Sequence, residues 1–269
     1  MKLTRLSTYL LGTALLLVLS GCSQDSNTSS SGAGGSSSTS SLDTIYNAAI
    51  NDSRRPAEEV SRDAGRKPAE VLKFFGVAPG QRILDLGSGD GYFTRILSGI
   101  VGDSGSVIAN NSGRRAGEEF QTQYREQYAS YANVELNFEN PENVSLPDNS
   151  LDMVLLSLAI HHWHHAEDTG EFVPEISLKR YDNIYRMLKP GGIFAVIDHA
   201  SAEDDSRQHS DEIHRIPSRV VKADLALAGF VLEAESDIHA NHPNDDVTVR
   251  WTQDPRDATV RIVHKYIKP

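Results

Sequence analysis

One cysteine, Cys22, is all the thiol this chain contains. No disulfide can form within the chain, and no thiolate cluster can hold a metal. Aromatic residues are scarce, at 7%. Basic residues are outnumbered by acidic ones, 26 to 37, which gives a formal net charge of −11. Such a composition offers little to grip phosphates or stack bases, so nucleic acid is not an expected partner. The apolar run over 9–19 is shorter than the roughly 20 residues of a comfortable membrane span. What remains, 39% hydrophobic and 23% charged over 269 residues, suits one ordinary domain with a sizeable core.

The cysteine's position matters more than its solitude. Lys2 and Arg5 precede the apolar run, which closes in Leu19-Ser20-Gly21-Cys22. This resembles the bacterial lipoprotein signal, in which cleavage before the cysteine leaves its thiol to be lipidated. The resemblance implies a membrane anchor at Cys22, with the protein facing the periplasm or cell exterior. Ser23 follows, not Asp, which implies the outer membrane. The alternatives are an ordinary cleaved signal or a short anchor. Residues 23–41 are mostly Ser, Gly and Thr and read as a flexible tether. A coil of that length spans roughly 24 Å. The expected organisation is therefore signal over 1–22, tether over 23–41 and one domain over 42–269.

Within that domain, helix and strand patterns alternate. Leu42, Ile45, Tyr46, Ala49 and Ile50 suggest a first helix. Pro56 suits the start of a second, and Pro68 the start of a third that Gly76 stops. Strands are expected at 82–86, 105–110, 133–138, 151–160, 193–198, 230–235 and 260–267. Helices are expected after the first of these and over 117–131, 176–188 and 217–228. The run at 151–160 is apolar throughout, as in a strand buried on both faces. This alternation predicts an α/β fold, a doubly wound and mostly parallel sheet of seven strands with N-terminal helices.

One stretch organises the rest. Asp85-Leu86-Gly87-Ser88-Gly89-Asp90-Gly91 follows a strand and opens a helix. Glycine there permits dihedrals that a Cβ forbids and lets a ligand approach the main chain. The helix start adds unpaired N–H groups and a partial positive charge. The spacing is DxGxGxG, with Tyr92 where a dinucleotide turn wants its third glycine. It resembles the first motif of class I S-adenosylmethionine-dependent methyltransferases. Three further stretches resemble the same family: Leu188-Lys189-Pro190-Gly191-Gly192, Leu146-Pro147-Asp148-Asn149-Ser150-Leu151-Asp152 and Ala159-Ile160-His161-His162-Trp163. More narrowly, the chain is similar to exported bacterial proteins of that family.

The resemblance implies a Rossmann-like fold and S-adenosylmethionine as cofactor. It implies cofactor contacts from Asp85, Gly87, Ser88, Gly89, Gly91 and Ser157. Asn111 stands where the family offers a carboxylate to the ribose, and Asn140 where it reads the adenine edge. The methyl acceptor is expected to be a small or lipid-like molecule. Catalytic candidates lie at strand ends: His161 and His162, then Asp198 and His199. His199 is the expected base, with Asp198 orienting it and His162 beside it. The expected site holds no metal. A metal site on the His161–His165 cluster, with His199 as added ligand, stays open as an alternative, as does a non-catalytic binding protein on the same scaffold. Arg62, Asp63 and Arg66 read either as a surface ion-pair cluster or as a cover over the substrate, and His209 and His214 as part of a lid or helix start.

Overall fold

The computed structural model describes residues 36–164, 173–251 and 258–269. Cys22, the tether up to residue 35 and His165 lie outside the described residues. Helix α1 (Ser36–Ile50) starts inside the stretch read as tether, ahead of the expected start near Leu42. Gly35 is the last helix breaker before it, and no glycine or proline interrupts the run to Ile50. Tyr46 and Ala49 carry the buried face of this helix. Tyr46 Oη donates to the Val77 carbonyl at 2.7 Å. Ala49 seats against Gly99, where a Cβ would come within 2.8 Å of it.

Three short helices follow, α2 (Ala57–Val60), α3 (Asp63–Arg66) and α4 (Pro68–Phe75). The core then alternates: β1 (Arg82–Leu86), α5 (Tyr92–Val101), β2 (Ser106–Asn110), α6 (Glu118–Tyr128), β3 (Val134–Asn137), β4 (Leu151–Ser157), α7 (Glu175–Met187) and β5 (Leu188–His199). It ends with α8 (Arg207–Ile213), α9 (Ser218–Leu227), β6 (Val231–Glu235) and β7 (Arg261–Ile267). Helices α3 and α8 are elements that the sequence pattern does not announce.

The strands form one seven-stranded sheet in the order β3-β2-β1-β4-β5-β7-β6. The pairs from β3 to β5 are parallel, while β7 runs antiparallel between β5 and β6. Successive residues of each central strand enter opposite cores. Leu84, Val154, Leu156, Phe194 and Val196 pack under α7 and α9. Ile83, Met153, Leu155, Ala195 and Ile197 pack under α1, α4 and α5. This is the doubly wound sheet expected from the apolar runs, since a strand covered on both faces needs no polar alternation.

Two boundaries differ from expectation. Strand β4 ends at Ser157, because Leu158 takes a left-handed backbone at φ 58°. A 3-10 turn over Ile160–Trp163 replaces the rest of the apolar run. Strand β5 begins at Leu188, which pairs with Leu151 before a bulge restores register at Met153 and Ile193. Lys189-Pro190-Gly191-Gly192 form that bulge, not a separate turn. Among the described residues no helix is long and apolar enough to cross a membrane.

Candidate active site

The strand order reverses between β1 and β4, and open α/β sheets bind ligands at the carboxyl ends of strands at such a point. A cavity of about 950 Å³ lies there. One wall is the turn after β1, from Gly87 to Asp90; the facing wall is Ser157, Leu158, Ala159 and His162 beyond β4. Asn111, Ser112 and Arg115 flank it beyond β2, and Glu58, Glu59, Arg62 and Arg66 cover it from α2 and α3.

Positive φ angles of 69°, 61° and 92° at Gly87, Gly89 and Gly91 shape the turn. A Cβ on Gly91 would stand 1.7 Å from Tyr128 Oη. The turn's own N–H groups are partly committed. Ser88 N donates to the Asn110 carbonyl at 2.8 Å, Gly89 N to Asn111 Oδ1 at 3.0 Å and Gly91 N to the Ser88 carbonyl at 3.0 Å. Those three groups hold the turn's shape, so a ligand here meets a pre-formed cradle of backbone.

Asn111 faces this turn more than the cavity. Its Nδ2 donates to Ser88 Oγ and to the Gly89 carbonyl, both at 3.1 Å. The amide expected to reach ribose hydroxyls also clamps the turn, and Asn111 lines the cavity. Asn140 is exposed, caps a 3-10 turn over Pro141–Asn143 and is not among the cavity-lining residues. Asn137 Oδ1 explains its displacement: it accepts from Asn110 Nδ2 at 2.6 Å and from Glu139 N at 3.1 Å, folding the chain away after β3. Gly91 also stands outside the lining and serves as the cap of α5. Asp85, Gly87, Ser88, Gly89 and Ser157 do line the cavity.

Asp85 is the charged group at the floor. It is 2% exposed, and its Oδ2 accepts from Thr94 Oγ1 at 2.6 Å. Burial raises its carboxyl to about 6, against the pull of that hydrogen bond. A cationic ligand group beside Asp85 would reverse the cause of that shift.

The cover is a network of opposite charges. Arg95 Nη1 meets Glu59 Oε1 at 2.5 Å, and Arg115 Nη1 meets Asp90 Oδ1 at 2.5 Å. Arg66 lies over the Tyr92 ring at 4.4 Å. Asp63 turns from the cavity to Arg55 at 2.7 Å and to Tyr92 Oη at 2.6 Å. Arg62 and Arg66 thus belong to the cover, and Asp63 to the ion pairing beneath it. Both readings of this cluster describe part of it.

The histidines divide differently from expectation. His162 lines the cavity; His199 does not. His199 Nδ1 is 2.8 Å from Thr259 Oγ1, and its ring stacks on Trp251 at 4.6 Å. Burial lowers its pKa to about 3, which suits a poor proton acceptor. Asp198 does not orient His199 through its side chain. The strand has not ended there, so the two side chains point apart. Asp198 Oδ1 instead meets His161 Nδ1 at 2.8 Å, and its Oδ2 accepts from His161 N at 2.9 Å. Burial would raise this carboxyl, but His161 outweighs it and brings it to about 2. The far nitrogen, His161 Nε2, is buried with no hydrogen-bond partner. His214, at the end of α8 rather than at a helix start, brings its ring within 5.3 Å of His162 and 5.8 Å of His161. His209 lies within α8. The sequence held one clue to the Asp198–His161 pair: both close strands that neighbour each other in a doubly wound order.

Residues 84–196 match the family model described as a methyltransferase domain. The glycine turn, strands β2 to β4 and the cavity walls after β1 and β4 fall within that match. Residues 84–196 are a class I methyltransferase domain. The ubiquinone/menaquinone biosynthesis C-methyltransferase of Hydrogenovibrio crunogenus is 29% identical over 131 residues, 48% of this chain and 46% of that protein. The enzyme of the same name from Vibrio cholerae is 33% identical over 126 residues, 46% of this chain and 43% of that one. The chain therefore spans less than half the length of the curated relatives it matches. Among solved structures, the S-adenosylmethionine-dependent methyltransferase of Aquifex aeolicus is similar in fold, with a TM-score of 0.56 at 22% identity over 85% of this chain and 98% of that one. The [4+2]-cyclase SpnF is similar to a comparable degree, with a TM-score of 0.55 at 14% identity over 86% and 94% of the two chains. The cofactor of the class is S-adenosylmethionine, and the residues of the methyltransferase cavity fit it. The volume lies within the range of small-molecule pockets, the turn carries no side chains at Gly87 and Gly89, and Asp85 is a buried carboxylate on the cavity lining.

Proposed function

We propose that this methyltransferase moves a methyl group from S-adenosylmethionine to a small-molecule or lipid-like acceptor, tethered to a membrane through lipidated Cys22. One observation carries the reading: the glycine turn, Asp85 and His162 open into a single cavity at the switch point. When bound, the cofactor supplies an electrophilic methyl group on sulfur. Asp85 would hold the amine of its amino-acid end, and the absence of side chains at Gly87 and Gly89 would let that end lie close. The lid of α2 and α3 keeps water from the site, and the Arg95–Glu59 pair fixes that lid to α5. The task left to the protein is alignment of the acceptor with the methyl group. His162 stands on the wall opposite the turn, where it takes the proton of an acceptor that must lose one.

Calorimetry of the full chain in detergent with S-adenosylhomocysteine tests the first half. One site per chain is expected, and no heat at millimolar ligand would sink the reading. For the tether, Cys22→Ser is expected to move the protein from the membrane to the soluble fraction, and intact acyl-protein mass on Cys22 is the direct readout. A second reading, a binding protein on this scaffold, draws on the fold shared with SpnF, since one fold hosts several chemistries. Cofactor binding with no transfer to any component of a cell-envelope extract would favour it.

A further inference from the structure

We infer that His161, His162 and His214 form a binding site for one divalent transition-metal ion of the zinc class, on the wall of the methyltransferase cavity. Each offers a ring nitrogen, and these atoms all lie within 4.8 Å of one another. A tetrahedral ion at about 2.0–2.1 Å from each nitrogen holds its ligands roughly 3.3 Å apart. Closing that difference takes small side-chain rotations, which exposed His162 and half-buried His214 can make.

The stronger argument comes from His161, which is 3% exposed. Asp198 grips it twice, at Nδ1 and at the main-chain N–H. A carboxylate that accepts from Nδ1–H fixes the tautomer and leaves Nε2 with its lone pair outward. That lone pair has no hydrogen-bond partner, though the atom is buried. An unpaired buried acceptor is destabilising, so proteins rarely keep one without use. A carboxylate–histidine pair with the far nitrogen bare is how metal-ligating histidines are oriented.

The local backbone agrees. Adjacent residues on a strand would point apart, but the 3-10 turn over Ile160–Trp163 brings the His161 and His162 rings to 4.0 Å. His214 supplies the third ring from a left-handed residue at φ 52°, a conformation that non-glycine residues hold only when the surroundings impose it. Three neutral imidazoles select ions such as Zn²⁺ or Co²⁺ over Mg²⁺ or Ca²⁺, which prefer oxygen. Three protein ligands also leave a coordination position, and His162 sets the ion beside the space that an acceptor would enter. Acceptors bearing a thiol or an ionisable oxygen suit it, and with the ion bound the His162 nitrogen that ligates it no longer acts as the base. This acceptor preference rests on the functional reading above; the ion site does not.

The test uses the full chain without an affinity tag, stripped by chelator and titrated with Co²⁺, then Zn²⁺. One equivalent of Co²⁺ is expected, with a visible ligand-field band that Zn²⁺ abolishes. His162→Ala and His214→Ala should each weaken binding at least about tenfold, and Asp198→Asn by roughly 10–100-fold. His162 is exposed, so its variant should fold, and a thermal melt checks that it does. Absence of one-equivalent binding, or binding unchanged in both histidine variants, overturns the inference and leaves His161 Nε2 as a hydrogen-bond acceptor only. Calorimetry with S-adenosylhomocysteine on the same samples separates the two proposals. In the unsubstituted chain, no metal binding with intact cofactor binding overturns only the ion site, and metal binding without cofactor binding overturns only the methyltransferase reading.

Discussion

His161 and His164 stand three residues apart in one histidine-rich run, and both are buried against a carboxylate. They differ in what the rest of each ring does. His164 is saturated: Asp224 lies 2.7 Å from its Nδ1, Arg207 lies 2.9 Å from the same atom, and Tyr181 Oη is 2.8 Å from Nε2. Arg207 in turn grips Asp224 with both terminal nitrogens. This ring ties α7, α8 and α9 together and faces no ligand. His161 has the same kind of carboxylate partner and an idle second nitrogen. The difference teaches that burial and a carboxylate do not by themselves distinguish a ligand-facing histidine from a structural one; these two part only at the second nitrogen.

The largest effect should come from breaking the saturated side. Asp224→Ala leaves Arg207 and His164 buried without their counter-charge and should cost about 3–5 kcal/mol in urea unfolding. Cofactor affinity of the folded fraction should not change, and a matching loss of affinity would refute the division between the two regions.

Asp85 is buried on the cavity side with a raised carboxyl, and Asp85→Asn should act with the opposite sign on stability. The carboxyl is raised from 3.8 to about 6. Between those values the folded state keeps a proton that the unfolded chain has lost, so stability falls as pH rises through this window. Above about pH 6 the penalty is complete, on the order of 3 kcal/mol. The amide variant should recover part of it at pH 7.5 and flatten the slope, while weakening cofactor binding tenfold or more. A less stable variant at pH 7.5 would show that burial does not set this carboxyl.

Tyr181→Phe sharpens the comparison by making His164 resemble His161. It strips the partner from Nε2 and should cost about 1–2 kcal/mol in a thermal melt. Smallest in stability is His162→Ala, since an exposed side chain seldom contributes more than about 0.5 kcal/mol. Its expected cost lies in turnover, about 10²–10⁴-fold if it moves a proton. Full activity in this variant would remove His162 from the proposed chemistry.

Features written locally were legible in the sequence. The glycine turn and the alternation of strands need only neighbours, and the structure has them where the pattern puts them. The side-chain partnerships were not legible, because they depend on sheet register. Asp198 reaches His161 across 37 positions, through the pairing of β4 with β5. His199 looked like a base only while the strand was taken to end before it. Asn111 reads as a ribose contact from its place in the chain and does line the cavity, but the second job of its amide, clamping Ser88 and Gly89, is not legible there. Arg62 and Arg66 carried a signal that composition alone could not resolve into cover or surface.

The antiparallel strand β7 has a bearing on biogenesis. It is the last strand in the sequence, yet it sits inside the sheet, pairing with β5 along 193–199 and with β6 beyond. Until it emerges from the ribosome or a translocation pore, β5 and β6 have no strand between them. Each then shows a row of unpaired main-chain groups, the template on which chains aggregate. The cradle around Asp85 can assemble earlier, from β1, β2 and β4. A chain cut short before Arg261 should therefore retain the elements of its ligand cradle and still fail as a soluble protein, through its edges and not its cavity.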